Sequence, residues 1–353
     1  MIWRSIWLIC CLLIIHSPFA LSANQNITTR VLFVNPGFAE ESFWGDVDGY
    51  AQAAASSLGL TLEILHGNRD HILTQQLLAE RMQVLPKPDY VVLVNEKSNG
   101  LALLNMLSES NCFVSFVLND LSPSNKQTLR TDPIWNTRLM PGVFPNNFNI
   151  GYLTAKDLYQ KGKDKQGAFV ILSGDKNTPA SNNREAGAMA FVMQQEHTTI
   201  AQRVYGDWRE DLAYEQTKVL LKRHPKVRYI WTANDHMAFG AQKAISEAGR
   251  SIGNDVFIST INTSQAVLSE LKDGHITSLG GGHFTAVGLQ MVKIHHHQKD
   301  QRWPQRTKFN LFQIIRYPSE LFSTLENKAW NNIDFENIDI FANPIDPFVV
   351  KSE

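Results

Sequence analysis

Short continuous apolar runs alternate with amphipathic stretches along most of this chain. "RVLFVN" (30–35) precedes a segment with helical spacing over 42–58. "TLEILH" (61–66) precedes "DHILTQQLLAERMQ", in which Ile72, Leu73, Leu77 and Met82 keep a helical period. "DYVVLVN" precedes "GLALLNMLSES", and "CFVSFVLND" (112–120) closes the first series. After a Pro- and Asn-rich crossing, "LMPGVFPNN" (139–147), the rhythm restarts with the helical "IGYLTAKDLYQKG". "GAFVILSG", "TTIAQRVYG", "VRYIWTAND", "DVFISTIN" and "ITSLGGG" then each precede a helical stretch. Fully apolar strands followed by helices signal a parallel sheet covered on both faces. Two such series joined by a break predict an α/β fold of two doubly wound, Rossmann-like lobes.

Connections of this kind are right-handed, so every strand presents its C-terminal end to one edge, where open α/β sheets bind ligands. At "WTANDHM" that edge holds Asn234 and Asp235, at the start of a helix. One such pair is explained by helix capping alone. The pattern repeats, however, at Asn95 with Glu96, at Asn119 with Asp120, at Arg184, at Trp208, at Asn262 and at His283. Phe43 and Trp44 follow the first strand. Aromatic faces ringed by amides, carboxylates and one Arg suit a small polyhydroxylated ligand. Its C–H face stacks on a ring while its hydroxyls pair with fixed polar groups.

Composition narrows the classes. The chain has 353 residues, 43% hydrophobic and 19% charged, with formal net charge −1, so it carries no electrostatic footprint for nucleic acid. The opening "MIWRSIWLICCLLIIHSPFALSA" (1–23) pairs Arg4 with an apolar run too short to span a bilayer and ends in small residues. It reads as a cleaved secretory signal. Of three cysteines, Cys10 and Cys11 leave with it; Cys112 is expected as a buried small hydrophobe, with no disulfide and no thiolate metal site. In "IHHHQ" (294–298) adjacent histidines on a helix point in different directions, so an exposed helix end is expected rather than a metal site. No nucleophile elbow, zinc helix or Cys/His pair is present. Glu40, Glu41 and Glu96 are the carboxylates a glycosidase pair would draw on, and their spacing does not require one.

In "HPKVRYIWTANDHMAFGAQKAISEAG", in the Arg-x-x-Gly of "NNREAG" and in "FW" at 43–44, the chain resembles the type I periplasmic binding proteins, specifically the ribose-binding-like sugar binders. The resemblance spans nearly the whole chain after residue 23. It implies that Phe43 and Trp44 stack on a ligand, that Asn95 and Asn119 reach it from the first lobe, and that Arg184, Trp208, Asn234 and Asn262 reach it from the second. Asp120, Asp235 and His283 are further candidate contacts. "SLGGGH" falls where such chains recross the hinge. The first lobe then comprises 30–145 plus 282–308, and the second 146–281 plus 309–345. Two positions depart from the family: Asn119 and Asn262 stand where it usually has Asp. The register leaves open whether Asn119 or Asp120 faces the ligand. Pro36-Gly37 with Trp44 is also similar to periplasmic quorum-signal receptors of this fold, but Ala39 and Glu41 replace polar groups they use.

The expectation is a monomeric periplasmic receptor without cofactor or metal. It closes on a small polar, sugar-like ligand and presents it to the membrane permease of an ABC importer. The alternative is a sensor for a membrane histidine kinase or cyclase; a carbohydrate-active enzyme is the third reading.

Overall fold

The computed structural model describes residues 28–162, 167–300, 303 and 305–351. The expected signal segment, 1–23, with Cys10 and Cys11, lies outside them. The first series runs β1 (Arg30–Asn35), α1 (Ser42–Ser57), β2 (Thr61–His66), α2 (His71–Arg81) and β3 (Tyr90–Leu93). It continues through α3 (Gly100–Met106), β4 (Phe113–Val117), α4 (Pro123–Thr131), α5 (Trp135–Arg138) and β5 (Leu139–Pro145). The second runs α6 (Asn147–Lys161), β6 (Gly167–Ser173), α7 (Pro179–Val192), β7 (Thr198–Tyr205) and α8 (Glu210–Arg223). Then follow β8 (Val227–Thr232), α9 (Asp235–Glu247), β9 (Phe257–Ile261), α10 (Gln265–Lys272) and β10 (Ser278–Gly281). The chain ends with α11 (Ala286–Asp300), β11 (Lys308–Phe309), β12 (Gln313–Ile315) and α12 (Glu320–Asn327).

Two six-stranded sheets result, ordered β11-β5-β4-β3-β1-β2 and β12-β10-β9-β8-β6-β7. All pairings are parallel except β10 with β12. The order reverses at β1/β3 and at β6/β8, the switch points at which a crevice opens beyond the strand ends. Alternation along β1 explains the apolar run. Val31 and Phe33 enter one buried cluster, Leu32 and Val34 the other, so both faces are covered. The chain passes between the sheets after β5, after β10 and between β11 and β12.

"LMPGVFP", expected as a crossing, is mostly strand β5, because its edge is completed by β11 from far along the chain. The histidine tract is not an exposed helix end. His297 is buried on α11, its Nδ1 2.8 Å from Tyr90 Oη and its ring edge-on to Trp303. Cys112 is buried and free. Residues 309–345 were expected with the second lobe, but Trp330 and Phe335 pack against Tyr50 of α1, since that fully buried ring needs an aromatic cover. No helix among the described residues is long and apolar enough to cross a membrane.

Candidate functional site

Between the two sheets, beyond their C-terminal strand ends, lies a narrow cavity of about 50 Å³. Each sheet contributes an indole seated on a glycine. Beyond β1, Trp44 lies so close over Gly37 that a Cβ there would stand 1.9 Å from the ring; beyond β6, Trp208 covers Gly174 in the same way, at 2.4 Å. Both glycines are needed for these close approaches. Both indole Nε1 atoms are buried and make no hydrogen bond with a described residue. Trp208 (φ 64), Leu118 (φ 62) and Asn262 (φ 146) all line the cavity with backbone angles that non-glycine residues rarely adopt. Such strain, about 1–3 kcal/mol per residue, is a feature of ligand sites.

Arg184 stands on α7 and is buried. Nε donates to Asn147 Oδ1 at 2.9 Å and Nη1 to the carbonyl of Ala233 at 2.8 Å. Its guanidinium lies 5.5 Å from the Phe312 ring and 5.9 Å from that of Trp208. Burial pushes it down to about 9, against the pull of Glu96 and Asp235. No carboxylate touches it, so its hydrogen bonds to described residues are to neutral oxygens. Nearby, His283 is sandwiched between Phe43 and Phe312, each 4.5 Å away centroid to centroid. Burial first, then Arg184, holds this imidazole well below 6.5, so the ring is neutral at physiological pH. Its Nδ1 is buried and unpaired among the described residues.

At the mouth Arg69 bridges two carboxylates, bonding Glu41 through Nε at 3.0 Å and Nη2, and Glu96 through Nη1 at 3.3 Å. Burial lowers the Arg69 guanidinium, but the two carboxylates outweigh it and raise it overall. Glu96 is pushed up by its own burial, which outweighs Arg69. The second oxygen of Glu96 accepts from Asn119 Nδ2 at 3.3 Å, and Thr178 Oγ1 reaches Glu96 from the other lobe at 3.5 Å. Asn119 Oδ1 in turn accepts the Ala180 amide at 3.0 Å, and Ser98 donates to the Asn177 carbonyl at 3.2 Å. The lobes therefore touch across the mouth.

Eight of the eleven expected residues line this cavity: Phe43, Trp44, Asn119, Arg184, Trp208 and, from the α9 and hinge side, Asn234, Asn262 and His283. Three do not. Asn95 closes a turn, accepting from Gly100 N and donating to the Asp120 carbonyl, both at 2.8 Å. Asp120 points away from the cavity and pairs with Lys126 at 2.5 Å. Asp235 sits behind the wall and accepts from Asn262 Nδ2 at 2.7 Å and from Ser264 Oγ at 2.5 Å, holding Asn262 in place. Asn234 caps α9 through Met237 N and also donates to the Trp208 carbonyl, so capping and wall-building coincide.

Sequence reasoning passed over Arg69, Asn147 and Thr178; it placed Glu96 at the strand-end edge but named neither Glu96 nor Glu41 as a ligand contact. Arg69 follows β2 at a strand end like the others, the one signal that marks it. Asn147 and Phe312 lie on crossings between lobes, where periodicity carries no information. No group of three or more His, Cys, Asp or Glu among the described residues is placed to hold a metal.

A family model described as a periplasmic binding protein domain matches residues 31–299. A solved periplasmic sugar-binding protein from Pseudomonas fluorescens superposes with a TM-score of 0.79 at 31% identity, covering 88% of this chain and 94% of that one. The D-ribose/D-allose-binding protein of Pseudomonas aeruginosa is 27% identical over 295 residues, 80% of this chain and 88% of its own. Several other curated relatives match over about half their length or less. The chain spans 44% of the D-apiose import binding protein of Actinobacillus succinogenes, 23% identical over 148 residues that make up 42% of this chain.

Proposed function

Since this chain belongs to the periplasmic binding protein family, we propose that it is the sugar receptor of an ABC importer, exported to the periplasm and closing on its ligand in the interlobe cavity. The observation that carries this reading is a set of buried polar ring atoms, on cavity-lining residues of both lobes, that make no hydrogen bond with a described residue: Trp44 Nε1, Trp208 Nε1 and His283 Nδ1. Leaving such groups unpaired costs about 1–3 kcal/mol each, so a ligand that pairs them recovers that amount. Two indole N–H donors and the Arg184 guanidinium favour oxygen acceptors; the amide oxygens of Asn147 and Asn262 accept from hydroxyls.

Charge narrows the ligand class. Glu41 and Glu96 face the cavity with Arg69 and Arg184, so the lining is balanced and suits an uncharged ligand. The lining charges sum to zero, and an uncharged ligand leaves that balance undisturbed. A compact neutral sugar fits this chemistry, in keeping with the sugars named for the relatives.

Closure supplies the mechanism. The ligand meets Trp44 and Asn119 from one lobe and Arg184, Trp208 and Asn262 from the other only when the lobes are shut, so binding shifts the hinge equilibrium towards that state. The permease then recognises the shut form. None of the contacts makes or breaks a covalent bond, and the reading is of a binder without turnover. The test is a thermal-unfolding panel on the mature chain with D-ribose, D-allose and D-apiose, and with D-gluconate as the charged counterpart. A rise in midpoint with a neutral sugar is expected. A rise with gluconate alone, or with none of them, overturns this ligand class.

A further inference from the structure

After β12 the chain stays on the second lobe. Helix α12 packs on α10, and Gln265 Nε2 donates to the Glu326 carbonyl at 2.6 Å. Immediately after α12, Lys328 turns the chain at φ 49, and two residues later Trp330 is already buried beside Tyr50 of α1. Phe335 and Phe348 close on the same ring, whose hydroxyl donates to the Pro347 carbonyl. The C-terminal segment therefore starts on one lobe and ends on the other, a fourth crossing in addition to the three that connect the sheets.

Lys328 sits at the middle of this crossing. Its Nζ donates to Asp46 Oδ1 at 2.5 Å, and Asp46 Oδ2 accepts from Thr263 Oγ1 at 3.5 Å. Asp46 is buried near the start of α1, two residues past the cavity residue Trp44. Thr263 follows Asn262, a cavity residue of the second lobe. One buried carboxylate thus joins both lobes and the crossing strand, next in sequence to ligand-wall residues on each side. The backbone at Lys328 is in the left-handed region, at a helix end where glycine is the favoured residue. Lys328 holds a backbone angle that disfavours a lysine while its side chain pairs with Asp46.

We propose that Asp46, Lys328 and Thr263 form a latch that holds the lobes shut, so that the C-terminal segment sets the population of the closed state and with it the ligand affinity. This rests on the closure reading given above, and its test separates the two. Lys328→Gly removes the ammonium group while suiting the backbone, so folding is preserved; Lys328→Arg keeps the charge. Small-angle scattering of the ligand-free mature chain should show a larger radius of gyration for K328G than for wild type, with K328R close to wild type. Titration with D-ribose and D-allose should give K328G a Kd higher by about tenfold, the ratio that one charge-assisted hydrogen bond supplies. An unchanged radius of gyration in K328G overturns the latch whatever the sugars do. Failure of the wild type to bind either sugar counts against the ligand reading alone, because the scattering comparison needs no ligand.

Discussion

Replacing Arg184 by Met removes a cation that lines the cavity and makes no carboxylate contact among the described residues. Its burial lowers the guanidinium from its ordinary value to about 9. At about 1.4 kcal/mol per pH unit, keeping that charge buried costs roughly 5 kcal/mol. Against this stand its hydrogen bonds to Asn147 and to Ala233. Each charge-assisted bond contributes about 1.5–3 kcal/mol. The two sides nearly cancel, and Met fills the space between Trp208 and Phe312 with apolar volume. The ligand-free R184M protein should therefore unfold within about 2 kcal/mol of wild type, a midpoint change of a few degrees in a chain of this size. Its response to ligand should vanish. Wild type at a hundredfold excess over Kd gains about 2.7 kcal/mol, which R184M loses. Differential scanning fluorimetry with and without D-ribose or D-allose reads both quantities, and calorimetric titration checks the affinity. A wild-type-sized ligand response in R184M would refute the placement of the site. A ligand-free midpoint lower by more than about 10 °C would refute the near-cancellation.

Gly174→Ala places a methyl group 2.4 Å from the Trp208 ring, so affinity should fall at least tenfold with the fold intact by circular dichroism; unchanged affinity would mean that the indole does not hold the ligand. His283 titrates well below 6.5 when folded, so the unfolded chain binds the extra proton and stability falls as pH drops below about 6.5. His295 and His297 are lowered too, and the raised Asp46, Asp48 and Glu96 act with the opposite sign above their ordinary values near 4, so the His283 share is read as a difference. H283F should lessen the acid slope by up to about 1.4 kcal/mol per pH unit in urea titrations between pH 5 and 6.5, and an equal slope in both proteins would contradict the neutral ring. Lys293 is fully buried on α11, donating to the carbonyls of Gly142 and Arg306, with burial lowering it to about 7. Wild-type stability should rise from pH 7 towards pH 10 as the unfolded chain alone holds that proton, and K293M should flatten the rise. A parallel rise in K293M would show that other groups cause it.

Much of the architecture was legible in the chain itself. Runs such as "RVLFVN" and "VRYIWT" are buried on both faces and so read as parallel strands, and polar residues at their C-terminal ends mark the ligand edge. Those rules are local, and they located Trp44, Arg184, Trp208, Asn234 and Asn262 on one cavity. What a strand end does with its polar residues is not local. Asn119 and Asp120 are neighbours, yet one faces the cavity and the other pairs with Lys126, because the backbone turns at Leu118 (φ 62) just before them. Asp235 supports the wall instead of forming it, since Asn262 from the next strand arrives in front of it. Arg69 has meaning only once Glu41 and Glu96 converge on it, and Lys328 only once the C-terminal segment reaches Asp46, 282 residues away in sequence. Sequence alone determined which elements form and which edge they offer, because burial period and chain chirality act over a few residues. Only the tertiary structure decided which polar groups are spent on one another and which remain for a ligand, because that depends on contacts between distant segments that no local pattern encodes.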